Sequence, residues 1–182
     1  METEVAESMN LVAVTVIGND RPGIVAGVSK ALFDAGCNLE DVSSTILRGH
    51  FSMVLLVETP DEVDPGDVDE HLRSVGEELD LTILIEPVEA TDADVTPPTH
   101  MVSVYGADRP GIVAHVTDLL AAYGANITDL TSRVVGGADD PVYALMLEVT
   151  VPAGVDLEKA VSGLREELGV DASVHPIDAD VL

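Results

Sequence analysis

The chain has 182 residues and carries 34 Asp and Glu against 8 Lys and Arg, a net charge of −26. That balance opposes direct binding to nucleic acid or an anionic membrane, since both rely on Lys and Arg against phosphate. No stretch reaches the roughly 18 apolar residues of a membrane span, and the single Cys37 allows no disulfide within one chain, which suits a reducing cytoplasm.

Met1 to Ser8 reads as a frayed, acidic end without the apolar run of a signal peptide. Asn10 to Ile17 is expected as a strand with Val12, Val14 and Val16 on one face. A helix over Pro22 to Ala35 follows, with Ile24, Val28, Leu32 and Ala35 at helical spacing. Pro22 suits a first helical turn, because the N–H it lacks would be unpaired there anyway. Gly23 leaves the backbone bare, so a ligand can approach. Gly36 falls where a helix ends on a left-handed residue.

Asn38 to Leu47 and Phe51 to Glu58 read as a hairpin turning at Gly49-His50, and Thr59 to Asp67 as an acidic loop. Val68, Leu72, Val75 and Leu79 mark a second helix, and Leu81, Ile83 and Ile85 a fourth strand. Ala90 to Pro98 has no apolar periodicity and reads as a linker.

The stretch Gly18 to Ser44 then recurs 88 positions later as Gly106 to Ser132, identical at 14 of 27 positions. The second copy runs from a strand at Met101 to Tyr105 through Ile112, Val116, Leu120 and Tyr123 to Gly124, and its hairpin turn at Gly136 to Pro141 is longer. A last helix carries Leu157, Val161, Leu164 and Leu168, and a last strand Val170, Ala172 and Val174. The expected domains are 9–89 and 99–178, joined by 90–98. Each reads strand–helix–strand–strand–helix–strand. The economical fold is α+β, a tandem of two ferredoxin-like units, each an antiparallel four-stranded sheet with two helices on one face. Apolar residues on both faces of the third strand imply that the bare face or an edge packs on another sheet.

Each copy has a bare helix N-terminus, a ready anion site, near Gly23, Ile24, Gly111 and Ile112. Two readings stay open. Asp20 and Asp108 can cap the helices locally, and Asn38 and Asn126 can be turn residues after glycine; or these groups face a ligand. Arg48 and Arg133 are rare cations for which pairing with an acidic neighbour is the simpler expectation, against contact with a ligand carboxylate. The histidines show no paired metal-ligand spacing, and no nucleophile motif or phosphate loop appears, so neither a metal, a cofactor nor a catalytic residue is expected. The spread of acidic residues and the scarcity of Lys resemble the proteins of salt-loving organisms; the fold is expected to be stable in molar KCl and to lose structure below a few tenths molar.

The run Asp20-Arg21-Pro22-Gly23-Ile24-Val25-Ala26 and the strand entry Gly36-Cys37-Asn38-Leu39-Glu40-Asp41 resemble the ACT domain, a ligand-sensing regulatory module, and do so in both halves. Cys37 to Asp41 and Ile46 to Met53 are similar to the glycine cleavage system transcriptional repressor group. The resemblance implies a non-enzymatic regulator that binds an amino acid at the loop after the first strand, often where two domains meet. An amino-acid carboxylate suits the helix-start N–H groups, its ammonium suits Asp20 or Asp108, and an amide at Asn38 or Asn126 serves either end. In the family's serine-binding members, positions matching Asp20 and Asn38 contact the ligand; Asp20 stands where those have Asn, and Gly18 where they have His. The implied partners are a small amino acid, glycine or serine, a protein partner, and a second copy in a cytoplasmic homodimer. The alternative is an assembly subunit without its own ligand.

Overall fold

The computed structural model describes residues 10–60, 65–89, 96–137 and 141–177. The chain forms two compact units, Met1–Asp92 and Ala93–Leu182. In the first, β1 (Asn10–Asn19), α1 (Ile24–Asp34), β2 (Asn38–Leu47), β3 (His50–Thr59), α2 (Pro65–Leu79) and β4 (Leu81–Pro87) follow in order. In the second, the same series is β5 (His100–Gly106), α3 (Ile112–Ala122), β6 (Asn126–Val135), β7 (Val142–Thr150), α4 (Leu157–Leu168) and β8 (Asp171–Pro176). The sheets have the orders β2-β3-β1-β4 and β6-β7-β5-β8, with every neighbouring pair antiparallel. These are two βαββαβ ferredoxin-like units in tandem.

Alternation along the central strands selects one face for each core. Val14 and Val16 of β1 and Met53, Leu55 and Val57 of β3 join Ile24, Val28 and Leu32 of α1 and Val68 and Leu72 of α2 in one buried cluster. The second core repeats this with Val102, Val104, Leu145 and Leu147 against Ile112, Val116, Leu120, Val161 and Leu164. Both helices of a unit therefore cover one sheet face. The other face is left open, with Val54 46% and Leu84 56% exposed.

Local chemistry sets the helix ends. Gly36 (φ 79°) and Gly124 (φ 70°) are left-handed, as expected. Cys37 N–H donates to the Leu32 carbonyl and Gly36 N–H to Phe33; Ala125 and Gly124 repeat this on Leu120 and Ala121. That is the Schellman pattern.

Three boundaries differ from expectation. The hairpin turns at Arg48-Gly49 rather than Gly49-His50, because Leu47 pairs with His50 and both turn residues have positive φ, 50° and 84°. Two positive φ values give the twist that matches flanking strands. Helix α2 starts at Pro65, so the acidic connection is shorter than Thr59 to Asp67. Helix α1 begins at Ile24, not Pro22. Residues 61–64 of the acidic stretch, 90–95 of the linker and 138–140 of the second hairpin lie outside the described residues.

Candidate ligand site

The ends of β1 and β5 lead into two helix starts of nearly the same shape. Gly23 (φ 98°, ψ −10°) and Gly111 (φ 97°, ψ −12°) are the N-cap residues, and neither helix has a side-chain cap or an acidic residue in its first turn. The first helical hydrogen bonds run from Gly27 N–H to the Gly23 carbonyl (2.8 Å) and from His115 N–H to Gly111 (3.0 Å). The N–H groups before them have no intrahelical acceptor. Ile24 and Ile112 are 2% and 4% exposed, so each can offer a ligand only its backbone N–H.

Asp20 and Asp108 are exposed and cap neither helix. Asp20 is held through its backbone, whose N–H donates to the Gly49 carbonyl (2.8 Å). Among the described residues the carboxylate of Asp20 has no partner, which removes the local-cap reading and leaves an acceptor beside the helix start. Arg21 donates to the Glu78 carbonyl (3.1 Å) near the end of α2 and so ties this loop to the fold, a role that no local sequence signal marks.

The two copies are not equivalent. A Cβ placed on Gly23 meets nothing within 4 Å, whereas at Gly111 it would lie 3.3 Å from His115 Nδ1. The His115 ring sits 2.8 Å from the Gly111 carbonyl, to which its Nδ1 donates, and partly covers that helix start. The matching residue in the first copy is Gly27, where a Cβ would lie 3.1 Å from Leu79 Cδ1. Glycine there suits the close packing of α1 on α2 and leaves the first site without a covering side chain.

Gly18 has a packing reason as well. A Cβ there would lie 2.5 Å from Leu81 Cδ2 and 3.2 Å from the Asp80 carbonyl; at Gly106 the obstacle is Val170 Cγ1 at 2.8 Å. A histidine at either position would require the neighbouring Leu81 or Val170 side chain to shift.

Asn38 and Asn126 do not join Asp20 and Asp108 within one unit. Asn38 pairs with Glu58 and Glu58 with Leu11, at the start of β1, while Asp20 follows its end. The eight strand steps from Leu11 to Asn19 put about 27 Å between the two ends. Asn126 likewise pairs with Thr150, beside the start of β5. Within one unit, Asp20 and Gly23 therefore stand at one end of the sheet and Asn38 at the other: helix α1 carries the chain back, and β2 restarts at the far edge of the sheet.

Asn38 has its own local partner, donating to Glu40 Oε1 (2.7 Å) beside the irregularity between Leu39 and Asp41. Glu40 also shares a hydrogen bond with Glu58, which raises its pKa. The folded state thus holds its proton above the ordinary glutamate range, and stability falls as pH rises through that window. Glu58→Gln should raise the melting temperature slightly at pH 7, with the gain gone by about pH 4. An equal gain at both pH values would contradict the shared proton.

Arg48 and Arg133 make no ion pair among the described residues, where the pairs are Lys30–Asp34 (2.6 Å) and Arg165–Asp171 (3.8 Å). The pairing expected for them is not found. No cluster of three or more metal-ligating side chains occurs among those residues, and no helix among them is long and apolar enough to cross a membrane.

Comparison with known proteins bears on this geometry. The ACT domain profile matches residues 10–86, and a second ACT domain profile matches residues 100–166. The chain is 28% identical over 176 residues to the glycine cleavage system transcriptional repressor of Escherichia coli, covering 94% of this chain and 92% of that protein. It is 46% identical over 79 residues to a UPF0237 protein of Methanopyrus kandleri, covering 43% of this chain and 88% of the relative. An unknown protein from Galdieria sulphuraria has a solved structure similar to this one, with TM-score 0.78 and 28% identity over 94% of this chain and all of that one. Repeat, topology and both profiles agree: the chain belongs to the ACT-domain family, with one ACT domain in each half.

Proposed function

We propose that the chain is a non-enzymatic cytoplasmic regulator that binds a small amino acid, glycine or serine, and reports it to a protein partner in amino-acid metabolism or its transcriptional control. The observation that carries this reading is the first helix start: uncapped, open above Gly23, with the unpartnered Asp20 carboxylate beside it. The ligand carboxylate would take the N–H groups at Ile24 and beyond, and its ammonium Asp20. The second start, covered by His115, would bind more weakly. Asn38 and Asn126 stand at the other end of their units and would take no part in this contact; the homodimer is proposed on the exposed apolar strand residues, Val54 and Leu84 among them. The similarity to a glycine cleavage repressor supports the same ligand class. With −26 net charge, control of transcription would run through a protein rather than by touching DNA. The second reading, an assembly subunit without its own ligand, is favoured by the apolar open face, where Ile17 and Leu84 are 48% and 56% exposed.

Calorimetry with glycine and serine in molar KCl tests the choice. Asp20→Ala is expected to weaken binding by tenfold to a hundredfold, since a charge-assisted hydrogen bond is worth about 1.5–3 kcal/mol. Asp108→Ala should have the smaller effect. Gly23→Val is a poor ligand probe: at φ 98° a branched side chain costs roughly 1–3 kcal/mol of stability whatever binds. Absence of binding would leave the assembly reading, and binding indifferent to both Asp changes would place the ligand away from the helix starts.

A further inference from the structure

The open face of the second sheet carries a groove of about 430 Å³ whose lining includes Met101, Asp129, Thr131, Arg133, Met146 and Glu148. Register explains the layout. Asp129 lies opposite Glu148, which lies opposite Met101; two residues on, Thr131 faces Met146; two further, Arg133 faces the small Ala144. All these side chains stand on the face away from α3 and α4, because Leu145 and Leu147 between them are buried in the core. The groove thus has two carboxylates and Met101 at one end, a guanidinium at the other and Met146 between. Its size falls in the range of small-molecule sites.

This charge layout is not required by the fold. The first sheet has the same strand order, and its counterparts are Asp41, Ser43, Thr45, Val54 and Leu56. It lacks both the cation and the second carboxylate. Arg133 is one of only 8 basic residues in a chain with 34 acidic ones, yet it has no ion pair among the described residues.

We propose that this groove binds an extended zwitterion, lysine or a short peptide, with its cation at Asp129 and Glu148 and its carboxylate on Arg133. Four residues of strand put the Cα atoms of Asp129 and Arg133 about 13 Å apart. A free α-amino acid such as glycine holds its charges only about 3 Å apart and cannot span the two ends. A guanidinium offers a carboxylate two parallel hydrogen bonds, and Met101 and Met146 adapt to an aliphatic or peptide spacer. The site is separate from the helix starts and does not depend on them.

The test is an amide-resolved NMR titration of the full chain in high KCl with lysine, dialanine, trialanine and glycine. Saturable shifts at Thr131, Arg133 and Met146 are expected with lysine or with the peptides, and the responding arm identifies the source; glycine should not move them. Arg133→Gln and Glu148→Gln should each weaken the response at least tenfold with circular dichroism unchanged, and Arg133→Lys should fall between. Asp20→Ala should leave it intact, which separates this site from the helix-start site. No saturable shift at millimolar concentration, or a response indifferent to Arg133→Gln, overturns the proposal. So does an Arg133→Gln change in oligomeric state without an effect on ligand, which would make this face a protein contact.

Discussion

Transfer from 1 M to 0.01 M KCl is expected to cost the chain several kcal/mol of folding stability. Spread over 12312 Å² of surface, the net charge of −26 leaves one charge per about 470 Å², a spacing of about 22 Å. Two charges at that distance in water repel by about 0.2 kcal/mol before screening. With a Debye length of ~10 Å at 0.1 M and ~30 Å at 0.01 M, repulsion among nearest neighbours sums to about 2 and roughly 7 kcal/mol. The unfolded chain keeps part of this. Ion pairs offer little relief, since those found among the described residues are two and exposed. Against a typical total of 5–15 kcal/mol, the melting temperature should fall moderately by 0.1 M and steeply below it. Composition alone points to a threshold of a few tenths molar; the area carrying the charge places the steep part lower. An unchanged melting temperature across the range would show that the repulsion does not matter.

Leu32→Ala and Leu120→Ala are each expected to cost about 2–5 kcal/mol, among the largest effects of any single change. Both side chains are fully buried, on the last turns of α1 and α3. Each packs into a core that is almost wholly aliphatic, because aromatic residues make up only 3% of the chain. These helices also hold Gly23 and Gly111 in place, so loss of Leu32 should weaken binding at the first helix start only as far as it unfolds the protein. Urea unfolding in molar KCl measures the cost. A loss below about 1 kcal/mol would mean that the site collapses around the missing atoms or that the core is not packed as described.

The sequence by itself determined the architecture of each half. Valine at every second residue, leucine and valine at helical spacing, and Gly36 and Gly124 at helix ends are local signals, and each acts within a few residues. Their repetition after 88 positions settled the tandem. Where a boundary moved, as at Arg48-Gly49, the cause was cross-strand: pairing of Leu47 with His50 chose the turn.

Only the tertiary structure decided which site residues meet. Asp20 and Asn38 are eighteen positions apart in a motif that reads as one unit, yet the sheet order β2-β3-β1-β4 places them at opposite ends of the strands. Gly23 and Gly111 look alike in sequence and share one backbone conformation, but Gly27, packed close to Leu79, has no side chain beside the first, and His115 reaches over the second. Asp129, Arg133 and Glu148 carry no motif at all; β6–β7 pairing brings Glu148 beside Asp129, and the strand period of two puts Arg133 on the same face. Local order follows from spacing along the chain. Which groups can face one ligand follows from contacts between distant segments, and spacing along the chain does not contain those.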